Sequence, residues 1–204
     1  MFERVLPLLL SGEFVCQISH PEAFLYLSSE KNAQEVSSYL AKMKLTLSTT
    51  PQQSAFYLTY QQLDDTNRKS CKEEFTSIKQ QLRPLVHFME LLMRVTRNDE
   101  ILSVGAVLEK HALMAKVDDS HDLSHQLDTI ANQFAGIYDK TKSGRLDKIF
   151  RRLEKEGYVV LANPEREIYQ ITGKIEYLQD IIAFLMEHEG IEEQEEQLET
   201  GTLW

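Results

Sequence analysis

A chain of 204 residues with 42% apolar residues, nine Phe and eight Tyr carries ample material for a buried core, which excludes an intrinsically disordered protein. Eight Gly and five Pro are too few for the turns of an all-β sandwich. The formal charge of −10 is unevenly placed: residues 187–204 hold seven Glu and no Lys or Arg, so the first 186 residues carry only −3 and a basic patch for nucleic acid stays open to them.

In chain order, Phe2, Val5, Leu6 and Leu9 follow helical spacing, and Ser11-Gly12 ends that helix. Residues 13–18 alternate like a short strand. His20-Pro21 reads as a helix start with Pro at its first position, and Phe24, Leu25 and Leu27 lie on that short helix. A further helix over about 31–42 turns Val36, Tyr39 and Leu40 inward. Leu45 and Leu47 alternate with polar neighbours, residues 49–53 form a polar turn, and Phe56-Tyr57-Leu58-Thr59-Tyr60 completes a hairpin. Helix, strand, two helices and a two-stranded wing make up the order of a winged helix.

Asp64-Asp65-Thr66-Asn67 caps a long helical stretch over 68–97 that Pro84 should kink or divide. Its apolar stripe holds Phe75, Ile78, Leu82, Leu85, Phe88, Met89 and Leu92, which suits packing within the chain or against a second copy. Ile101-Leu102 is a strand candidate. Ser103 is placed to cap a helix carrying Val104, Val107 and Leu108, and more helix runs from about Asp119 through Leu123, Leu127, Ile130 and Phe134. A helix over about 143–156 sets Leu146, Ile149, Phe150 and Leu153 on one face and stops at Gly157. Strand residues 158–161, the turn Asn163-Pro164-Glu165-Arg166 and the strand 168–171 form a second hairpin. A last helix holds Ile175, Leu178, Ile181, Ile182 and Leu185. The helix-then-hairpin unit thus occurs twice.

This order of elements resembles the MukE/MksE subunit of bacterial condensin-like complexes. The stretches that carry the likeness are Leu8-Leu9-Leu10-Ser11-Gly12-Glu13-Phe14-Val15, Ser54-Ala55-Phe56-Tyr57-Leu58 and the run 145–172. The related subunit of Wadjet-type plasmid-defence complexes is similar as well. The resemblance implies a cytoplasmic, nucleoid-associated homodimer of tandem winged-helix subunits that grips a kleisin, which bridges the heads of an SMC-type ATPase. ATP chemistry would belong to that partner, in keeping with a sequence lacking G-x-x-x-x-G-K-[ST] and G-x-G-x-x-G.

The expected architecture is therefore α+β and mainly α: winged-helix domains over 1–66 and 67–186, then an acidic, disordered tail over 187–204. The strongest charge feature is Lys140, Lys142, Arg145, Lys148, Arg151, Arg152 and Lys155. On a helix, Arg145, Lys148, Arg152 and Lys155 share one face beside the apolar stripe, a layout suited to phosphate contact. Lys142, Arg145, Lys148, Arg151, Arg152 and Lys155 are the candidate DNA-binding residues; a solvated face with local ion pairs to Glu154 and Glu156 is the plainer alternative. The resembled family has basic residues at Arg145, Arg152 and Lys155 too, but a further Arg where this chain has Glu154.

His121 and His125 form an i, i+4 pair near Asp118, Asp119 and Asp122, yet no HExxH motif accompanies them, so capping explains the acids better than a metal. Gly105 reads as a close helix contact. Cys16 and Cys71 read as cytosolic thiols, Cys16 as core filling, and no nucleophile sits with a base and an orienting group. No catalysis and no cofactor is expected. Residues 5–10 and 181–186, the longest apolar runs, are too short to span a bilayer, and the N-terminus lacks a secretory signal's basic flank. A stand-alone winged-helix regulator of DNA is the rival to the adaptor.

Overall fold

The structure, a computed structural model, describes residues 1–62, 64–97, 102–134 and 138–189. Helix α1, Phe2–Leu10, is amphipathic and buries Val5 and Leu9. Strand β1, Val15–Cys16, is shorter than the 13–18 alternation suggests, because the chain turns at once: Ser19 donates its hydroxyl to the Phe14 carbonyl, and the His20 amide returns to the Cys16 carbonyl. Helices α2, Pro21–Leu27, and α3, Glu30–Ala41, follow. Val36 and Leu40 face inward as expected, whereas Tyr39 is exposed and meets Phe2 edge-on. Leu25 is likewise exposed. Strands β2, Leu45–Thr49, and β3, Ala55–Tyr60, pair antiparallel with Leu47 opposite Leu58, and β1 adds to the other side of β3.

Helix α4, Asp65–Thr96, continues through Pro84 rather than dividing there. Its start is held by reciprocal bonds: the Asp64 amide donates to Asn67 Oδ1, and the Asn67 amide to Asp64 Oδ1. From Leu82 to Val95 its stripe is buried within the chain, while Phe75 and Ile78 are only partly covered. The expected helix at Ser103 does not form. Gly105 takes φ +82°, its amide donates to the Ile171 carbonyl, and the chain leaves as strand β4, Val107–Glu109. Leu102 belongs to no strand, and Ile101 lies outside the described residues. Helices α5, Lys110–Asp118, α6, His121–Gln133, and α7, Lys142–Lys155, come next. Strands β5, Val159–Asn163, and β6, Ile168–Ile171, then complete a second sheet. Its order, β4-β6-β5, repeats the β1-β3-β2 of the first. Helix α8, Lys174–Glu189, takes up the first three residues of the acidic segment, and the rest of the tail lies outside the described residues.

The core falls into two clusters, one around Val5, Leu9, Leu27, Val36 and Leu40, the other around Phe88, Leu127, Ile149, Phe150 and Leu178. Between them runs a close-packed seam. Phe14 stacks on Tyr57 at 4.8 Å and both meet Tyr177, while Lys174 Nζ lies over the rings of Phe14 and Tyr158. Burial, and then the charge of Asp180, raises the Tyr57 pKa above the ordinary tyrosine value; burial does the same to Tyr158. The chain is thus α+β and mainly helical, with two small sheets among the described residues. Among the described residues no helix is long and apolar enough to cross a membrane.

Candidate nucleic-acid interface

Thr141 caps α7 by accepting from the Gly144 amide at 3.0 Å. Asp139 folds over the same turn, accepting from the Thr141 amide and hydroxyl at 3.0 Å each. The Thr141 amide bond first, the hydroxyl bond next and Lys148 after them hold the Asp139 carboxyl below the usual carboxylate range. Gly144 makes room for this, since an added Cβ would collide with the Asp139 carboxylate. Leu146, Ile149, Phe150 and Leu153 are all buried, so the spacing that placed them on one face is met, and the basic residues beside them are turned outward.

Most of those cations have acidic partners within the chain. Lys142 Nζ lies 3.6 Å from Asp118, Arg145 pairs with Asp128 of α6 and donates Nε to the Asp139 carbonyl, and Lys148 engages Asp139 and the Tyr138 carbonyl. Arg152 pairs with Glu156 one turn on. Arg151 and Lys155 are exposed and have no ion-pair or hydrogen-bond partner among the described residues. Lys155 also stands on the wall of a cavity of about 500 Å³ at the seam, with Glu13, His20 and Glu154. The six candidates therefore share one helix, but they divide into internal braces and free ends.

A buried cation escaped the sequence reading. Lys110, 5% exposed, is clasped by Asp147 of α7 and Glu167 of the second hairpin, and His111 Nε2 reaches Glu167 at 3.0 Å. Burial opposes the Lys110 charge, but its hydrogen bonds to Asp147 and Glu167 outweigh that and raise its pKa above the ordinary lysine value. The clasp fixes the hairpin turn against α7. Its only sequence trace is a Lys directly after the strand residues 107–109, with no hint of which acids it meets.

His121 and His125 are exposed on α6, and Arg94 engages Asp122 at 2.5 Å. Among the described residues no group of three or more His, Cys, Asp or Glu is placed to hold a metal. Cys16 is buried and Cys71 half-buried, both as free thiols. Gly105, read as a helix contact, instead lies in a turn facing the Ile18 side chain.

Among the described residues, two three-stranded sheets of like order, two core clusters and an aromatic seam between them make up a mainly helical α+β protein, and most cations of its α7 charge cluster brace its own helices. Residues 1–182 match the model of the family described as condensin complex protein MksE, and the chain belongs to that family. It is accordingly a subunit of a condensin-type complex. No curated protein matches the chain.

Proposed function

We propose that the chain is the kleisin-binding accessory subunit of an SMC-type complex that organises and segregates the chromosome. In this reading residues 1–66 and 67–186 are winged-helix domains, 187–204 an acidic tail, and two copies pair as a homodimer at the nucleoid. The repeated strand order and the hairpin that follows α3 and α7 support the winged-helix assignment.

The observation that carries the adaptor reading is the internal use of the α7 cations. A free-standing DNA regulator holds its basic residues out for phosphates, each contact releasing counterions. Here Lys142, Arg145, Lys148 and Arg152 face carboxylates of the same chain. The subunit then braces the kleisin, DNA contact is shared with other subunits, and the SMC-type partner hydrolyses ATP. Affinity purification of the tagged chain from its own cells, read by mass spectrometry, should recover a kleisin and an SMC-type ATPase. Recovery of neither, with tight sequence-selective duplex binding that persists as salt is raised, would replace the adaptor with a regulator.

A further inference from the structure

We infer that the cavity beside Glu176 is a receptor for a basic side chain, a guanidinium or alkylammonium group presented by a partner polypeptide. Glu176 is the third residue of α8 and only 6% exposed, and its Oε2 is buried without a hydrogen-bond partner among the described residues. A glutamate at this position ordinarily reaches back to the amide of the residue before the helix. That amide belongs to Gly173, and it is given instead to Cys16 Sγ at 3.3 Å. The seam has taken the carboxylate's own partner. The positive end of α8 offsets part of the resulting penalty, but an unpaired buried charge still calls for a counter-charge.

Glu176 forms part of the wall of a cavity of about 440 Å³. Ser54 from the first hairpin, with Ser103 and Gln179, adds polar groups, Leu102 and Val104 add apolar surface, and among the described residues no Lys or Arg lines it. A carboxylate only accepts hydrogen bonds, and serine hydroxyls and a glutamine carbonyl can accept beside it. Apolar walls suit an alkyl stem. A donor-rich cation on such a stem is an arginine or lysine side chain. A divalent ion would need several oxygen ligands, and among the described residues the cavity offers one carboxylate. The polypeptide carrier rests on the adaptor reading; recognition of the cation does not.

The test is NMR titration of the ¹⁵N-labelled full chain with N-acetyl-arginine amide, N-acetyl-lysine amide, the neutral N-acetyl-citrulline amide and magnesium ion. The arginine or lysine amide should give saturable shifts at the amides of Ser54, Ser103 and Gln179, and citrulline none. Glu176→Gln should weaken the response about tenfold or abolish it, as loss of a charged hydrogen bond requires. The same variant should raise the melting temperature of the free protein, because it removes an uncompensated charge. No saturable shift with either cationic amide would overturn the site, as would an equal response to citrulline or a response to magnesium alone. A lower melting temperature for Glu176→Gln would overturn it too, by making the residue a structural support. Loss of the kleisin and SMC partners from the purification, with the arginine response intact, would defeat the adaptor reading and leave the cation site standing.

Discussion

The amide of Gly173 donates to the sulfur of Cys16 across 157 positions of sequence, at 3.3 Å. The same sulfur accepts from the Ser19 amide at 3.2 Å, so one thiol ties the turn after β1 to the entry of α8. An added Cβ at Gly173 would lie 2.8 Å from the Ala55 Cβ and 2.9 Å from both the Cys16 Cβ and the Ser54 carbonyl oxygen. Two of these neighbours are parts of a sheet that has little room to give. Glycine is what allows the two units to approach so closely.

Gly173→Ala should therefore destabilise the chain by about 1–3 kcal/mol through overpacking. Urea titration followed by tryptophan-independent probes, one tyrosine label in each core cluster, should show the two transitions separating as the seam loosens. Coincident transitions at the wild-type midpoint would mean that the seam tolerates a methyl group and does not couple the units.

Lys110→Met should be more costly than an ordinary surface substitution. It leaves Asp147 and Glu167 facing each other without the buried ammonium, and the loss is expected at about 2–3 kcal/mol, discounted because both acids are about one-third exposed. The sign with pH follows from the raised Lys110 pKa. Its stabilisation is fully present below the unfolded lysine pKa and is lost as pH rises through the higher folded value. The stability gap between wild type and Lys110→Met should stay level through neutral pH and close as strong alkali removes the ammonium proton. A gap that closes near neutrality would assign the effect to another group.

Asp139 gives the opposite sign. Its lowered pKa means that the α7 cap contributes stability above the ordinary carboxylate range and loses it as pH falls through the lowered value. Hydrogen exchange at the Thr141 and Gly144 amides should quicken in Asp139→Ala at pH 7. Acidification of the wild type should lower the protection factors of the same two amides, measured against the intrinsic rate at each pH, before those of the buried Ile149 and Phe150 amides. Unchanged exchange in the variant would show the turn to be held by Thr141 alone.

Much of the fold is legible from local pattern. The stripe Leu146, Ile149, Phe150 and Leu153 lies on one turn-spaced face and is buried as its spacing requires, and both hairpins fall where turn residues separate alternating runs. The stretch 103–109 is different. Val104, Val107 and Leu108 fit helical spacing, but Leu108 is opposite Tyr169 in the second sheet, a partner that no local window contains. The partners of the charge cluster are hidden from local pattern for the same reason. Spacing puts Arg145, Lys148 and Arg152 on one face, while the acids that meet the first two come from α6 and the loop before α7. Sequence shows where a charge projects; the tertiary fold decides what waits there.

That division sets the test of DNA contact. Reversing Arg145, Lys148 and Arg152 to Glu sets new carboxylates against Asp128, Asp139 and Glu156, so the triple variant should lose stability as well as any phosphate contact. Arg151→Glu with Lys155→Glu reverses the two exposed cations that no carboxylate among the described residues engages. The double variant should melt within about 0.5 kcal/mol of wild type, as surface changes do. If α7 meets DNA in the assembled complex, it should also weaken binding across all sequences and flatten the salt dependence by up to about two phosphate contacts. A gel shift of the complex unchanged by the double variant at low and high salt would remove this end of α7 from the interface.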